Sequence, residues 1–234
     1  MKNLAVIPAR GGSKRIPRKN IISFKGNPII KYPIIEALKS GVFDTVMVST
    51  DDKEIASIAL KAGAKIPFYR SENASNDHAN LHDVLIEVTN KYLSMDIHYD
   101  NICCILPTSP LLKAKRIIEG LEKMNNQNLD AVSGIVKYSH PVLRSLEIDK
   151  ENKLRMKWPE FTNVRSQDLS DIYYDSGTFY WIKINKLLKT DTLYPNNCGG
   201  LVLDELEVQD IDTKTDLKLA ELKYDLQQIN NEFK

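Results

Sequence analysis

No acidic residue occurs before Glu36, although eight Lys and Arg precede it. That absence leaves the first 35 residues strongly cationic, while the remaining 199 hold 24 Lys/Arg against 31 Asp/Glu. The positive charge is therefore local. With a net charge of +1 over 234 residues, composition argues against a bulk nucleic-acid or membrane-surface binder. The phosphate loop pattern G-x-x-x-x-G-K-[ST] and the dinucleotide pattern G-x-G-x-x-G are both missing, which disfavours P-loop kinases and nicotinamide enzymes. Cysteine is scarce, odd in number at three, and forms no C-x-x-C pair. A disulfide framework and a structural zinc site are thereby disfavoured, and reduced thiols in the cytoplasm are expected. No apolar run approaches the ~20 residues needed to cross a bilayer, and no charged–apolar–small leader opens the chain.

What is present begins with Leu4-Ala5-Val6-Ile7, a buried-strand pattern that empties into Ala9-Arg10-Gly11-Gly12-Ser13-Lys14-Arg15-Ile16-Pro17-Arg18-Lys19-Asn20. Paired glycines let backbone N–H groups approach a ligand, and five clustered cations neutralise a polyanion. The carboxyl end of a strand is also where open α/β sheets bind ligands. A small, strongly anionic molecule is expected here, most simply a nucleoside triphosphate.

Short apolar runs alternate with helical periodicity along the chain, the pattern of βαβ units around a largely parallel sheet. Strands are expected at 3–8, 46–49, 102–106, 130–136, 178–184 and 203–209. Helices are expected from an Asn27-Pro28 cap to Ser40, from Asp51/Asp52 to about Gly63, and over 80–93, 113–125 and 213–228. Between 138 and 172 the alternation breaks, which reads as an insertion, a hairpin arm for dimer contacts, within one domain spanning 1–234.

Several groupings carry chemistry, each with an ordinary alternative. If the strand before it persists, Asp210 and Asp212 share one face with Ile211 buried opposite. Two hard oxygen ligands suit Mg²⁺, with Mn²⁺ as a substitute. The same residues would equally serve to cap the last helix, with Asp216 completing a capping box at Thr213. Ser49-Thr50-Asp51-Asp52 ends another strand, where helix capping is the plainer reading. In Pro107-Thr108-Ser109-Pro110 the hydroxyls face either a ligand or the turn backbone. His78 and His82 lie near the start of the 80–93 helix, exposed or in substrate contact. Arg165-Ser166-Gln167-Asp168 and Tyr173-Tyr174-Asp175-Ser176-Gly177 would read a carboxylated polyol or form a surface ion-pair cluster.

Taken in order, these blocks resemble the CMP-sialic acid synthetase (acylneuraminate cytidylyltransferase) family, across nearly the whole chain. Leu206 to Thr213, the 219–224 stretch and Tyr173 to Gly177 resemble the branch that activates pseudaminic acid. The chain departs from the sialic acid pattern at Leu106, where many members have glutamine, and at Asn80-Leu81-His82. The resemblance implies a Rossmann-like, mostly parallel sheet flanked by helices, of the nucleotide-diphospho-sugar transferase type. It implies cytidylyl transfer from CTP to a nonulosonic acid, releasing pyrophosphate; the 138–172 insertion points to a homodimer, and the cysteine pattern to the cytoplasm. Sialic, legionaminic and 3-deoxy-octulosonic acids are alternative acceptors; a non-catalytic nucleotide-binding regulator and a kinase-like phosphotransferase are readings from other classes. Arg10, Ser13, Lys14 and Lys19 would hold the triphosphate, Asn20 the cytosine or ribose, and Ala9, Gly11, Gly12 and Asp51 would complete the nucleotide site. Asp210 and Asp212 would bind the metal and, with Arg10, Lys14 and Lys19, serve catalysis. The sugar would meet Asn80, His82, Thr108, Ser109, Arg165, Gln167 and Asp175.

Overall fold

The structure, a computed structural model, describes residues 1–13, 15–75 and 79–232. Its main sheet holds six strands: β1 (Asn3–Pro8), β2 (Thr45–Ser49), β3 (Asn101–Ile105), β4 (Ala131–Lys137), β5 (Tyr173–Lys183) and β6 (Cys198–Val202). Their spatial order is β6-β4-β5-β3-β1-β2. β1 is parallel to both β2 and β3, with Val6 opposite Met47 on one side and Cys104 on the other. β4 and β6 are parallel to each other, and β5 alone runs antiparallel, between β3 and β4. The longer helices are α1 (Lys31–Ser40), α2 (Lys53–Lys61), α3 (Leu81–Ser94), α4 (Ala114–Asn126) and α5 (Lys214–Glu232). The expected α/β architecture is the one found.

Every residue of β1 is buried, because the sheet is covered on both faces. Period-two alternation sends Ala5 and Ile7 into a core with Ile34 and Ala37 of α1, Ile55 of α2 and Ile117 of α4. Leu4 and Val6 enter the opposite core with Leu85, Val88 and Tyr92 of α3. Cys103 and Cys104 split between the two faces as buried free thiols, and burial pushes the Cys104 thiol up to about 12.

A third, smaller core decides where the site lies. Ile16 of the basic loop packs with Phe24, Ile29, Ile211 and Ala220 of α5. The rings of Phe24, Tyr32 and Tyr224 meet edge to face at 5.1–5.6 Å around it. A two-residue turn, Lys25 (φ 47°) and Gly26 (φ 79°), folds Ser23–Phe24 onto Asn27–Pro28 and delivers Phe24. This hairpin claims Asn27 and Pro28, so α1 starts at Lys31 rather than at the expected Asn27 cap.

Two further expectations are corrected. β5 starts at Tyr173, five residues before the expected Thr178, because the chain continues through Gly177 (φ 60°) and a register shift against β4. Residues 203–209 are not a strand. The last strand is Cys198–Val202, and 205–207 form a turn capped reciprocally by Asp204 and Glu207. Gly200 suits that strand, since a Cβ there would stand 2.3 Å from Ile135 Cδ1. The expected Thr213–Asp216 cap is present: Thr213 N–H donates to Asp216 Oδ2 (2.7 Å) and Asp216 N–H to Thr213 Oγ1 (3.2 Å). Residues 138–172 hold a two-stranded hairpin, Leu146–Ile148 against Leu154–Met156, among short turns.

The satellite core generates a prediction. Ile211 is fully buried, so Ile211→Ala should lower unfolding stability by about 2–4 kcal/mol in urea titration. A loss under about 0.5 kcal/mol would mean that this cluster does not hold the two segments together.

Candidate active site

Loop 9–20 is fastened at several points to the loop after β2. Ala9 N–H donates to Ser49 O (2.9 Å) and Gly11 N–H to Asp51 Oδ1 (2.9 Å). A side chain at Gly11 would collide with Asp52, whose Oδ2 lies 2.8 Å from a Cβ placed there, whereas Gly12 faces open space. Packing therefore requires only the first glycine. The buried Asn20 side chain donates to Arg10 O (2.9 Å), so its amide shapes the loop from within.

Arg18 holds the left-handed conformation (φ 56°), uncommon for a non-glycine residue. Its guanidinium pairs with Asp52 and Glu54, tying this conformation to α2. Asp52 also caps α2, accepting from the Glu54 and Ile55 amides at 2.9 Å. The Arg18 hydrogen bond, with these amides, holds the Asp52 carboxyl down at about 2 against the desolvation that opposes it. Lys19 reaches the other way, donating to Ile211 O (2.9 Å) and Asp212 Oδ1 (3.2 Å), and Arg15 also pairs with Asp212. Asp212 thus sits beside the basic loop, and the exposed Asp210 lies on the other side of the buried Ile211, both in irregular backbone rather than on a strand.

Above the carboxyl ends of β1 and β3 lies a cavity of about 680 Å³. Arg10, Ser13, Lys19 and Asn20 line one wall, and Asn80 and Thr108 line the others. Its described lining holds four cations, Arg10, Arg15, Lys19 and Arg70, and no carboxylate. Arg70 has no counterpart in the sequence reading, since it stands alone after Pro67-Phe68-Tyr69 without a motif. It is buried, donating to Ser49 Oγ (3.1 Å) and Ser49 O (2.6 Å). Burial lowers its pKa, opposed by the charge of Asp51. Arg70 therefore presents a fixed cation that needs no reorganisation to meet an anion.

The N-terminus of α3 borders the cavity. Asn80 caps it reciprocally with Asp83, at 3.0 Å each way, and adds the positive end of the helix to the wall. Asn80 also borders an adjoining cavity of about 340 Å³ with His82, Asp175 and Tyr180. There Asp175 accepts from Tyr180 OH (2.7 Å) and Gly177 N–H (2.9 Å), and desolvation, then Asp175, raises the Tyr180 pKa. His82 Nε2 contacts Leu187 O at 3.2 Å, and Ser109 Oγ donates to Gly177 O at 3.3 Å. Both side chains are engaged with backbone.

Three expected sugar-binding residues, Ser109, Arg165 and Gln167, do not line these cavities. Arg165 pairs with Asp168 at 2.8 Å on the surface, with 73% of its side chain exposed. Gln167 lines a separate cavity of about 420 Å³ beside Tyr138 and His140. The sequence-adjacent Arg-x-Gln pattern is thus carried on the 138–172 segment and does not line the basic loop's cavity. Lys14 and His78 lie outside the described residues. Among the described residues no three His, Cys, Asp or Glu side chains cluster as a metal cage. Asp210 and Asp212 nevertheless fit an ion such as Mg²⁺, which needs only one or two carboxylates when phosphate oxygens and water complete its shell.

The family model described as Cytidylyltransferase matches residues 4–220. The chain belongs to the cytidylyltransferase family. As such it is an enzyme of nucleotidyl transfer. It is 40% identical to a pseudaminic acid cytidylyltransferase of Campylobacter jejuni over 96% of this chain and 97% of that one. It is 33% identical to a CMP-N,N'-diacetyllegionaminic acid synthase of Legionella pneumophila, over 97% and 98%. A solved CMP:2-keto-3-deoxy-manno-octonic acid synthetase, complexed with CTP, shares the fold with a TM-score of 0.71 at 18% identity. It covers 97% of this chain and 100% of that one.

The Arg18–Asp52 pair gives the cytidylyltransferase an acid-sensitive joint. A carboxyl depressed to about 2 stabilises the fold above its unfolded pKa of about 4, and this is lost as pH falls through about 2. Asp52→Asn should remove that component, flattening stability between about pH 4 and 2 relative to wild type in urea titrations. At neutral pH, Asp52→Ala should lose roughly 1 kcal/mol from the helix cap alone. Parallel wild-type and Asp52→Asn profiles would count against the pair.

Proposed function

We propose that the enzyme transfers the cytidylyl group of CTP to pseudaminic acid, giving CMP-pseudaminic acid and pyrophosphate. One observation carries the reading: a single cavity joins the loop cations Arg10 and Lys19 to Asn80 and Thr108, and Lys19 links it to Asp212. The identity to the Campylobacter jejuni enzyme supports the acceptor. In this reaction the sugar's anomeric oxygen bonds to the α-phosphorus as the bond to pyrophosphate breaks. Such displacement depends on positioning and charge neutralisation more than on covalent help from the protein.

In this reading Arg10, Ser13, Lys14 and Lys19 hold the triphosphate, with Arg70 as a further fixed charge. Asn20 and Asp51 set the loop's shape. Asp210 and Asp212 would hold Mg²⁺, which when bound supplies charge neutralisation and Lewis acidity at the phosphates. Asn80, Thr108 and the adjoining cavity with His82 and Asp175 would take the sugar, and Leu106 gives the main cavity an apolar wall. Buried free thiols at Cys103 and Cys104 agree with a cytoplasmic enzyme. Among the described residues no helix is long and apolar enough to cross a membrane.

We also propose a homodimer built through the 138–172 arm. Leu146, Ile148 and Leu154 are 55%, 66% and 65% exposed, and the register places them with Met156 on one hairpin face. A two-stranded hairpin is marginal alone, and a second copy of this face would cover it.

Purified enzyme offered CTP, Mg²⁺ and a panel of nonulosonic acids should release pyrophosphate fastest with pseudaminic acid. Preference for a legionaminic or sialic acid would reassign the acceptor. Arg10→Ala should reduce turnover on the order of 10²-fold, and Asp210→Ala should reduce pyrophosphate release at ordinary Mg²⁺; near-wild-type turnover in either would remove that residue's role. For the arm, Ile148→Asp should shift sedimentation from dimer to monomer. A wild type that sediments as a monomer would sink the dimer proposal.

A further inference from the structure

Asp212 draws two cations from the basic loop, and both have a second possible partner. Arg15 pairs with it, and Lys19 Nζ stands 3.2 Å from Oδ1. Arg15 and Lys19 also line the 680 Å³ cavity. Their surroundings differ. Lys19 is anchored a second time on Ile211 O at 2.9 Å, with 22% of its side chain exposed, whereas 71% of the Arg15 side chain is exposed. Arg18, the neighbouring arginine, is committed to Asp52 and Glu54 instead. Arg15 is therefore the more exposed and less anchored member of the pair.

Two charges sitting on one carboxylate oppose the approach of a divalent cation to it, through plain Coulomb repulsion. A polyphosphate carries several negative charges and offers a planar guanidinium better partners than one carboxylate does. We propose that Arg15 is a positioning residue shared between Asp212 and the nucleotide's phosphates. Transfer of its guanidinium to the phosphates releases Asp212 to the metal. Nucleotide and divalent cation then bind cooperatively, each strengthening the other by the same factor. This rests on the reading of Asp210 and Asp212 as metal ligands.

The test is direct binding, separate from turnover. Mn²⁺ binding to the nucleotide-free protein is followed by electron paramagnetic resonance, and CTP binding in EDTA by calorimetry. Arg15→Gln should bind Mn²⁺ at least about fivefold more tightly than wild type while binding CTP more weakly. A general loss of structure would weaken both, so opposite signs identify the shared role. Arg15→Lys should move both constants back toward wild type. Unchanged or weaker Mn²⁺ binding by Arg15→Gln overturns the proposal. In the Arg15→Gln background, Asp212→Asn should abolish the gain; if the tight Mn²⁺ site survives that change, the metal assignment itself falls.

Discussion

The site depends on burial of Ile16 against Ile211 and Ala220. These residues are nearly 200 positions apart, and no main-sheet hydrogen bond joins their segments among the described residues. The basic loop leaves β1 on one side; Asp210 and Asp212 arrive on an irregular stretch before α5. A few apolar side chains, steadied by the Phe24, Tyr32 and Tyr224 rings, convert that separation into contact. Lys19 adds a polar stitch to Ile211 O and Asp212. Apolar contact is indifferent to which ions are present, so the cationic and acidic segments can be held together while their charges remain exchangeable.

The loop's cations fall into distinct tasks. Arg18 is structural, locked to α2 in a backbone conformation that few arginines adopt. Lys19 spans cavity and carboxylate, and Arg15 does so from a more exposed position. Arg70 comes from another part of the chain and is fixed by backbone and hydroxyl partners rather than by an acid. The acids that pair with Arg15, Arg18 and Lys19, namely Asp52, Glu54 and Asp212, stand outside the cavity's described lining, whose charged side chains are all cationic.

Much of this was legible in the sequence because it is local. The buried run of β1, the glycine–cation loop, the Asp52 and Thr213 caps and the amphipathic pattern of α3 each declare themselves within a dozen residues. Failures arose where tertiary contacts overrode local signals. Asn27-Pro28 looks like a helix start but is recruited into a hairpin by a positive-φ turn. Gly199 and Gly200 conceal a strand that exists because β4 offers a parallel edge. The strand invoked to orient Asp210 and Asp212 is absent, and the two residues instead flank the buried Ile211 in an irregular stretch. Arg70 could not be found, since its meaning lies entirely in the space it borders. Arg165 and Gln167 fit a motif in order, yet neither lines the cavity.

The carboxylate-free lining of the cavity has a consequence for the end of the reaction. Four cations with no acid among them do not distinguish an arriving polyphosphate from a departing one. In the proposed reaction, pyrophosphate cut from the nucleotide would leave behind the same donors that received it, and its escape would compete with recapture. An enzyme with this wall should be inhibited by its own inorganic product, visible as pyrophosphate competing with nucleotide. Its flux in a cell would then follow how quickly pyrophosphate is hydrolysed elsewhere.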